Sequence, residues 1–306
     1  MKKINFLLLL MVPLFGFSQK IRVFVLAGQS NMNGFGFTKD LPSDLKSFND
    51  VYIFQGKAVA DDETNGGVGK WEVLKPGHGH QFNTDGKTNQ LSDRFGPELS
   101  FAKRVKELYP KDKIALIKYA REGTSIDSLA RGPFGCWDSD YFGKTGGNQF
   151  KHYLKTVQNA LNKIDFQKNE EVVMNGIIWM QGEGDASFTE EIAQNYYGHL
   201  VTLFKGFRAS LRDADIPVVI GKISDSGKDP SGRVWKTGEL IQYAQEKYAA
   251  HDKNAAIVRS TKNYSYGDDP WHYNSAAYID LGKNFADEVY KLQQKREMIV
   301  GKIKIQ

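Results

Sequence analysis

The run Val23 to Ala27 breaks directly into Gly28-Gln29-Ser30-Asn31, and no other stretch of the 306-residue chain restricts its fold so much. Five apolar or β-favouring residues in succession describe a buried strand, and the polar residues after them describe an abrupt turn. A serine just past the carboxyl end of a parallel strand stands in the crevice where open α/β sheets bind their ligands. Gly28 lets the backbone bend tightly before it. By its local sequence alone, such a serine suits a loop hydrogen bond or a helix N-cap as well as a nucleophile.

The pattern recurs along the chain. Val51 to Phe54, Lys113 to Tyr119, Val172 to Met180 (interrupted by Asn175-Gly176), Pro217 to Ile223 and Ala255 to Arg259 read as further strands. Between them lie helical patterns. Gly96-Pro97-Glu98 opens one that shows Leu99, Ala102, Val105 and Leu108 on one face; Asn148 to Ile164 is a second, and Val234 to Ala249 another. Ile192, Tyr196, Leu200, Leu203, Phe207 and Leu211 make the clearest amphipathic stripe, and Leu281, Phe285, Val289 and Leu292 define a closing helix. Strands alternating with helices predict parallel βαβ units in an α/β domain, and no linker-like stretch divides it. Lys57 to Ser92 is glycine-rich and without periodicity, so it reads as a long loop that walls a site or contacts substrate. Its His78 and His80 are expected to be solvated, because the loop offers no clear set of metal ligands.

With 41% apolar and 25% charged residues the composition is that of an ordinary globular protein. A net charge of +5, with no basic block interleaved with aromatics, gives no support to a nucleic-acid partner. Lys2 and Lys3 precede a twelve-residue apolar core, Phe6 to Phe17, with small residues after it, so residues 1–19 are expected to be a secretory signal. That core is too short to span a bilayer, and no cysteine follows it to carry a lipid. The expectation is therefore an exported chain, secreted or periplasmic, without a stable membrane anchor after cleavage, whose residues 20–306 form one domain. Cys136 is the only cysteine, so no intrachain disulfide can form, and a small, partly buried residue is the reading for it.

Two further segments give Ser30 its context. Ile177 to Asp185, IIWMQGEGD, is a second apolar run ending in a polar glycine-rich turn, and Asp268 to His272, DDPWH, lies near the C-terminus. Together the three supply a hydroxyl, an amide, carboxylates and an imidazole. In the blocks Gly28-Gln29-Ser30-Asn31-Met32, Trp179-Met180-Gln181-Gly182-Glu183 and Asp269-Pro270-Trp271-His272 the chain resembles the SGNH hydrolase superfamily, and within it carbohydrate esterase family 6 and the sialate O-acetylesterase-like group. The resemblance implies a three-layer α/β/α sandwich around a mainly parallel sheet, the flavodoxin-like SGNH hydrolase fold. It also implies a secreted carbohydrate O-acetylesterase.

Ester hydrolysis needs a nucleophile, a base within hydrogen-bond reach, an acid to orient the base, and donors for the oxyanion. The resemblance assigns Ser30 as nucleophile and His272 as base. Asp269, three residues before His272, can be aimed at Nδ1 by one turn, and Glu183 is a second candidate acid from the neighbouring strand end. The oxyanion donors implied are the backbone N–H groups of Ser30 and Gly123 and the side-chain amide of Gln181. Asn31, Arg121 and Trp271 are the candidate substrate-binding residues, although Arg121 is equally able to pair with a local acid. Phe134, Trp137, Tyr141 and Phe142 are placed either to stack on sugar faces or to pin their own loop.

There is no Gly-x-Ser-x-Gly elbow, zinc-binding helix or P-loop, so the reading is a serine esterase that requires neither cofactor nor metal. Acetylated xylan or a related polysaccharide is the leading substrate class by resemblance, with O-acetylated sialic acid as the alternative. A non-catalytic carbohydrate-binding protein on the same fold is the alternative from another class.

Overall fold

The structure, a computed structural model, describes residues 20–164 and 170–303. The expected signal, residues 1–19, lies outside the described residues. One sheet of seven strands organises the chain: β1 (Lys20–Gly28), β2 (Val51–Gln55), β3 (Trp71–Val73), β4 (Lys113–Ala120), β5 (Glu171–Met180), β6 (Val218–Gly221) and β7 (Ala255–Val258). Their spatial order is β7-β6-β5-β1-β4-β2-β3. Every pair is parallel except the last, where β3 closes the edge antiparallel to β2. β1 therefore sits in the middle, and Val23 to Ala27 are all buried, as an unbroken apolar run requires.

Helices cover both faces. α2 (Glu98–Leu108) packs with the closing helix α7 (Ser275–Ile303) on one side, and α3 (Gln149–Leu161), α5 (Glu190–Ser210) and α6 (Gly238–His251) form the other layer. Local chemistry sets several starts: the Asn148 side chain accepts from Lys151 N, and Thr189 Oγ1 accepts from Ile192 N. The interruption expected at Asn175-Gly176 is a bulge in a continuous strand, since Val23 pairs with Met174 and Phe24 with Gly176. A Cβ on Gly176 would come within 2.5 Å of Val289 on α7, which explains a glycine inside a strand.

The long loop expected from Lys57 to Ser92 is corrected in part: it contains β3 and a two-stranded ribbon, Asn83–Thr84 paired with Asn89–Gln90. These pieces are too short to leave a periodic trace in sequence. The helix expected from Val234 begins only at Gly238, which frees Trp235 to point elsewhere.

After β1 the chain moves outward to β2, and between β4 and β5 it crosses to the other side of β1. The carboxyl ends of β1, β4 and β5 thus border the topological switch point, where a doubly wound sheet leaves a crevice. Gln29, Arg121 and Gln181 follow directly from those three ends.

Candidate active site

Two short helices rise from the crevice, α1 (Ser30–Asn33) after β1 and α4 (Glu183–Ala186) after β5. Their approach depends on Gly28, whose φ of +149° excludes most side chains and whose Cβ would lie 2.0 Å from the Met180 carbonyl oxygen. The Gln29 side chain joins the two helices. Its Oε1 accepts from the N–H of Gly182 (3.2 Å) and of Gly184 (3.1 Å). Two donors fix the oxygen, so the amide nitrogen must face the other way, and among the described residues it has no acceptor.

Ser30 opens α1 and lines a cavity of about 410 Å³ together with Gln29, Gly123, Glu183, Trp271 and His272. Asp269 organises the turn that carries the imidazole. Its Oδ1 accepts from the backbone N–H of Trp271 and of His272, both at 2.8 Å, and its Oδ2 accepts from His272 Nδ1 at 2.7 Å. A carboxylate can only accept, so Nδ1 carries the hydrogen, and in the neutral ring the lone pair is therefore on Nε2. Burial alone would raise the Asp269 pKa, but the hydrogen bonds from His272 and Trp271 outweigh it, and the carboxyl is held below its ordinary range. Phe35 stacks on the His272 ring at 3.6 Å between centroids and 3° between planes, which fixes the ring's tilt.

Residues 20–291 match the family model described as carbohydrate esterase, sialic acid-specific acetylesterase. The chain belongs to this family. It is a carbohydrate acetylesterase by family, a serine-dependent ester hydrolase, and its α/β/α architecture is the SGNH hydrolase fold. Among solved structures, a protein from Arabidopsis thaliana is similar with a TM-score of 0.62 at 22% identity, over 88% of this chain and 98% of that one. NanS is similar with a TM-score of 0.58 at 15% identity, over 91% and 99%. A carbohydrate acetylesterase from Xanthomonas citri gives 0.57 at 16% identity, over 86% of this chain and 55% of its own length. At such identities these likenesses speak for the shared fold. No curated protein matches in sequence.

Several residues expected to touch substrate in this esterase hold the scaffold instead. The Gln181 amide donates to the Thr124 carbonyl (3.0 Å) and to Asp185 Oδ2 (2.7 Å), and its oxygen accepts from Tyr196 Oη (3.0 Å). Both of its N–H bonds are engaged in the interior, so the expected oxyanion role of Gln181 is corrected. Asp185, which also accepts from Ile126 N and Asp127 N, is buried and has its pKa pushed up to about 6 by desolvation despite those bonds. Asn31 is likewise corrected from substrate binder to brace. Its Nδ2 donates to Glu183 Oε1 (2.8 Å) and to the Trp271 carbonyl (3.2 Å), while its Oδ1 accepts from Tyr278 Oη (2.8 Å). It therefore couples the nucleophile helix to α4, to α7 and to the histidine turn.

Glu183, by sequence a candidate partner of His272, accepts from Asn31 instead. It is buried, its Oε2 has no partner among the described residues, and desolvation raises its pKa against the lowering effect of the Asn31 bond. Arg121 donates through Nε to the Phe134 carbonyl at 2.6 Å and does not line the cavity. Through that bond it holds the Phe134 ring against Gly123, where a Cβ would lie 2.5 Å from the ring. Gly123 lines the cavity, and its φ of +68° makes it the natural glycine of this turn. Trp271 remains at the cavity, 48% exposed.

Of the loop aromatics, Phe134 lines the cavity, Trp137 is buried in the core, and Tyr141 and Phe142 take cations from Arg131 and Lys151. Phe188 and Trp235 complete the aromatic wall, and neither is marked as a site residue by its sequence context. Phe188 sits on a connecting segment with no periodic signal, and Trp235 on one that the sequence assigns to the following helix, which begins only at Gly238.

The two loop histidines are corrected too. His78 is fully buried, bonded to Gln55 Oε1 through Nδ1 (3.0 Å) with Nε2 3.3 Å from Glu72 Oε1. His80 pairs through Nδ1 with Glu122 Oε1 at 2.6 Å and stacks on Phe35. Beneath them the buried Lys118 ammonium donates to the carbonyls of Asn33 (2.8 Å) and His78 (2.7 Å) and to Glu98 Oε2 (2.8 Å). All three of its hydrogens are satisfied, and desolvation lowers its pKa against the pull of Glu98. Cys136 is buried, as a structural residue would be.

Proposed function

We propose that this carbohydrate acetylesterase removes O-acetyl groups from a neutral sugar, most nearly in the manner of an acetylxylan esterase, through an acetyl-enzyme on Ser30. His272 Nε2 takes the Ser30 Oγ proton as Oγ attacks the ester carbonyl carbon. The proton then passes to the departing sugar oxygen as the tetrahedral adduct collapses. Water, deprotonated by the same nitrogen, releases acetate from Ser30. Asp269 holds the tautomer that keeps Nε2 basic and stabilises the imidazolium formed in each half-reaction. The observation that carries the reading is the 2.7 Å His272 to Asp269 bond on a cavity wall shared with Ser30. No hydrogen bond joins Ser30 Oγ to His272 among the described residues, and such contacts commonly tighten only with substrate in place.

For the oxyanion the donors become the backbone N–H groups of Ser30 and Gly123 and, in place of Gln181, the side-chain amide of Gln29, whose nitrogen is the one left without an acceptor. The chemistry is complete without metal or cofactor. The neutral sugar is supported by the lining of the cavity, which holds the half-exposed Glu122 carboxylate and no lysine or arginine. An anionic sugar would meet repulsion there. A second reading, O-acetylated sialic acid, is favoured by Arg94 in an adjoining cavity of about 610 Å³ that shares His272. Acetate release from acetylated xylan compared with O-acetylated sialic acid decides between them. A higher kcat/KM on the sialic acid ester overturns the neutral-sugar reading.

Export follows as part of the same proposal, supported by the basic start and apolar core of residues 1–19. N-terminal sequencing of the protein recovered from its host tests it, with a start at Gln19 or Lys20 expected. Among the described residues no helix is long and apolar enough to cross a membrane.

A further inference from the structure

The Glu122 carboxylate is held at one oxygen and open at the other. Oε1 accepts from His80 Nδ1 at 2.6 Å and from Asn33 Nδ2 at 2.8 Å, so the group is anchored to the last residue of the nucleophile helix and to a ring stacked on Phe35. Oε2 has no protein partner among the described residues. The side chain keeps 34% of its exposure and lines the same cavity as Ser30 and His272. Nothing in the acyl-transfer steps above calls for a third carboxylate at this place.

Its neighbours say what such an acceptor can serve. Glu122 precedes Gly123, whose N–H is proposed for the oxyanion, so a donor bound at Oε2 lies close to the carbon that carries the ester. A free hydroxyl on the next carbon of the sugar ring is a donor of that kind. The cavity opposes an anion, as argued above, and its Phe134, Phe188, Trp235 and Trp271 offer apolar faces to the C–H side of a sugar ring while the hydroxyls stay at the rim. The two anchors matter for energetics: a carboxylate already fixed by two bonds loses little freedom when it accepts a third, so its geometry can discriminate.

We infer that Glu122, held by His80 and Asn33, is a substrate-binding residue that accepts a hydrogen bond from a free hydroxyl vicinal to the acetyl ester. The inference rests on the carbohydrate esterase reading and makes it more specific. The enzyme selects sugars in which the carbon beside the ester is unsubstituted, and a fully acetylated ring is a poorer substrate until a neighbouring position is freed. A site built to bond a hydroxyl rejects the analogue that lacks it, because the acceptor, covered by the bound sugar, is then left unmatched.

The test uses the full-length mature enzyme and two probes: a methyl xyloside with one acetyl and a free vicinal hydroxyl, and the same ester with that hydroxyl replaced by hydrogen. The wild type should favour the first in kcat/KM by about 10- to 100-fold, the range for a hydrogen bond to a charged group. In Glu122→Ala the ratio should fall to about one. Glu122→Gln, which keeps the shape and a partner for Asn33, should give a ratio clearly below wild type, and it decides the matter if the alanine variant does not fold. A wild-type ratio near one, or a ratio that stays at the wild-type value in either variant, overturns the inference while leaving the esterase reading intact. Failure of the wild type to hydrolyse either ester overturns the neutral-sugar reading on which the inference rests.

Discussion

Two imidazole–carboxylate pairs flank the same phenylalanine. His272 and His80 both stack on Phe35, at 3.6 and 4.4 Å, nearly parallel to it, and two rings so placed must occupy its opposite faces. His272 takes its carboxylate from Asp269, three residues earlier in the same turn, whereas His80 takes Glu122 from a separate strand end, 42 residues away. The carboxylate of the local pair has both oxygens engaged and serves only its histidine turn. The carboxylate of the distant pair has one oxygen engaged and one turned to the ligand space. On the proposed mechanism, similar groups at similar distances take different work: the pair closed on itself orients the base, and the pair left half open binds the sugar.

The largest effect that sharpens this comparison comes from Asp269→Asn. An amide at this position favours the wrong imidazole tautomer, and kcat should fall by about 10⁴-fold, the size seen for that change in the serine-protease triad. His80→Ala should lower kcat by less than about tenfold and act mainly on KM for sugar esters, since it loosens Glu122 rather than the base. Steady-state kinetics on one acetylated sugar checks both, and equal losses in kcat would erase the distinction between the pairs.

Next in size is Gln29→Glu. The new side chain keeps an acceptor for the N–H groups of Gly182 and Gly184 but loses the amide donor, so kcat should drop by about 10²- to 10³-fold with the fold intact by circular dichroism. Gln181→Ala should instead act on stability, because it strips Thr124, Asp185 and Tyr196 of a buried partner, at about 1 to 3 kcal/mol for each group left unsatisfied. If Gln181→Ala melts like the wild type and loses kcat selectively, the oxyanion donor is Gln181 after all.

The smallest effect belongs to Glu183→Gln, which asks whether a second carboxyl joins the His272 pair. Burial raises the folded-state pKa of Glu183, so the folded protein holds this proton more tightly than the unfolded chain does. The stability it contributes is full below the ordinary glutamate pKa of about 4.3 and is lost as pH rises through the raised value. Glutamine removes that loss while still accepting from Asn31. Thermal melts should therefore show the variant above the wild type at neutral pH, with the gap closing below about pH 4. Its kcat should stay within about tenfold of wild type, and a loss as large as that of Asp269→Asn would make Glu183 the acid that orients the base.

The contrast between the pairs also explains what could be read from the sequence. The blocks around Ser30 and His272 stand out in the sequence, the first as a strand running into a polar turn and the second because Asp269 and His272 lie three residues apart in one turn, and both border one cavity. The sheet was legible too, since burial on both faces writes an unbroken apolar run such as Val23 to Ala27. Glu122, Phe188 and Trp235 reach the cavity from connecting segments, and their relation to Ser30 exists only through the order of the strands. Gln29 and Gln181 show a subtler limit. Both are amides at strand ends beside glycines, and only their hydrogen-bond partners reveal which has an N–H to give. Asn31 looked like a ligand contact because it follows the serine, yet three other elements, α4, α7 and the histidine turn, meet on it.

On the proposed mechanism Ser30 alone becomes acylated while His272 and Asp269 act around it. Rapid quenching of the enzyme with an activated acetyl ester, followed by peptide mass spectrometry, reads this directly. One acetyl group should appear on the peptide that contains Ser30 during turnover, build up further in a variant slowed at deacylation, and be missing from Ser30→Ala. Acetyl found transiently on another side chain, or full turnover by Ser30→Ala, would contradict the account.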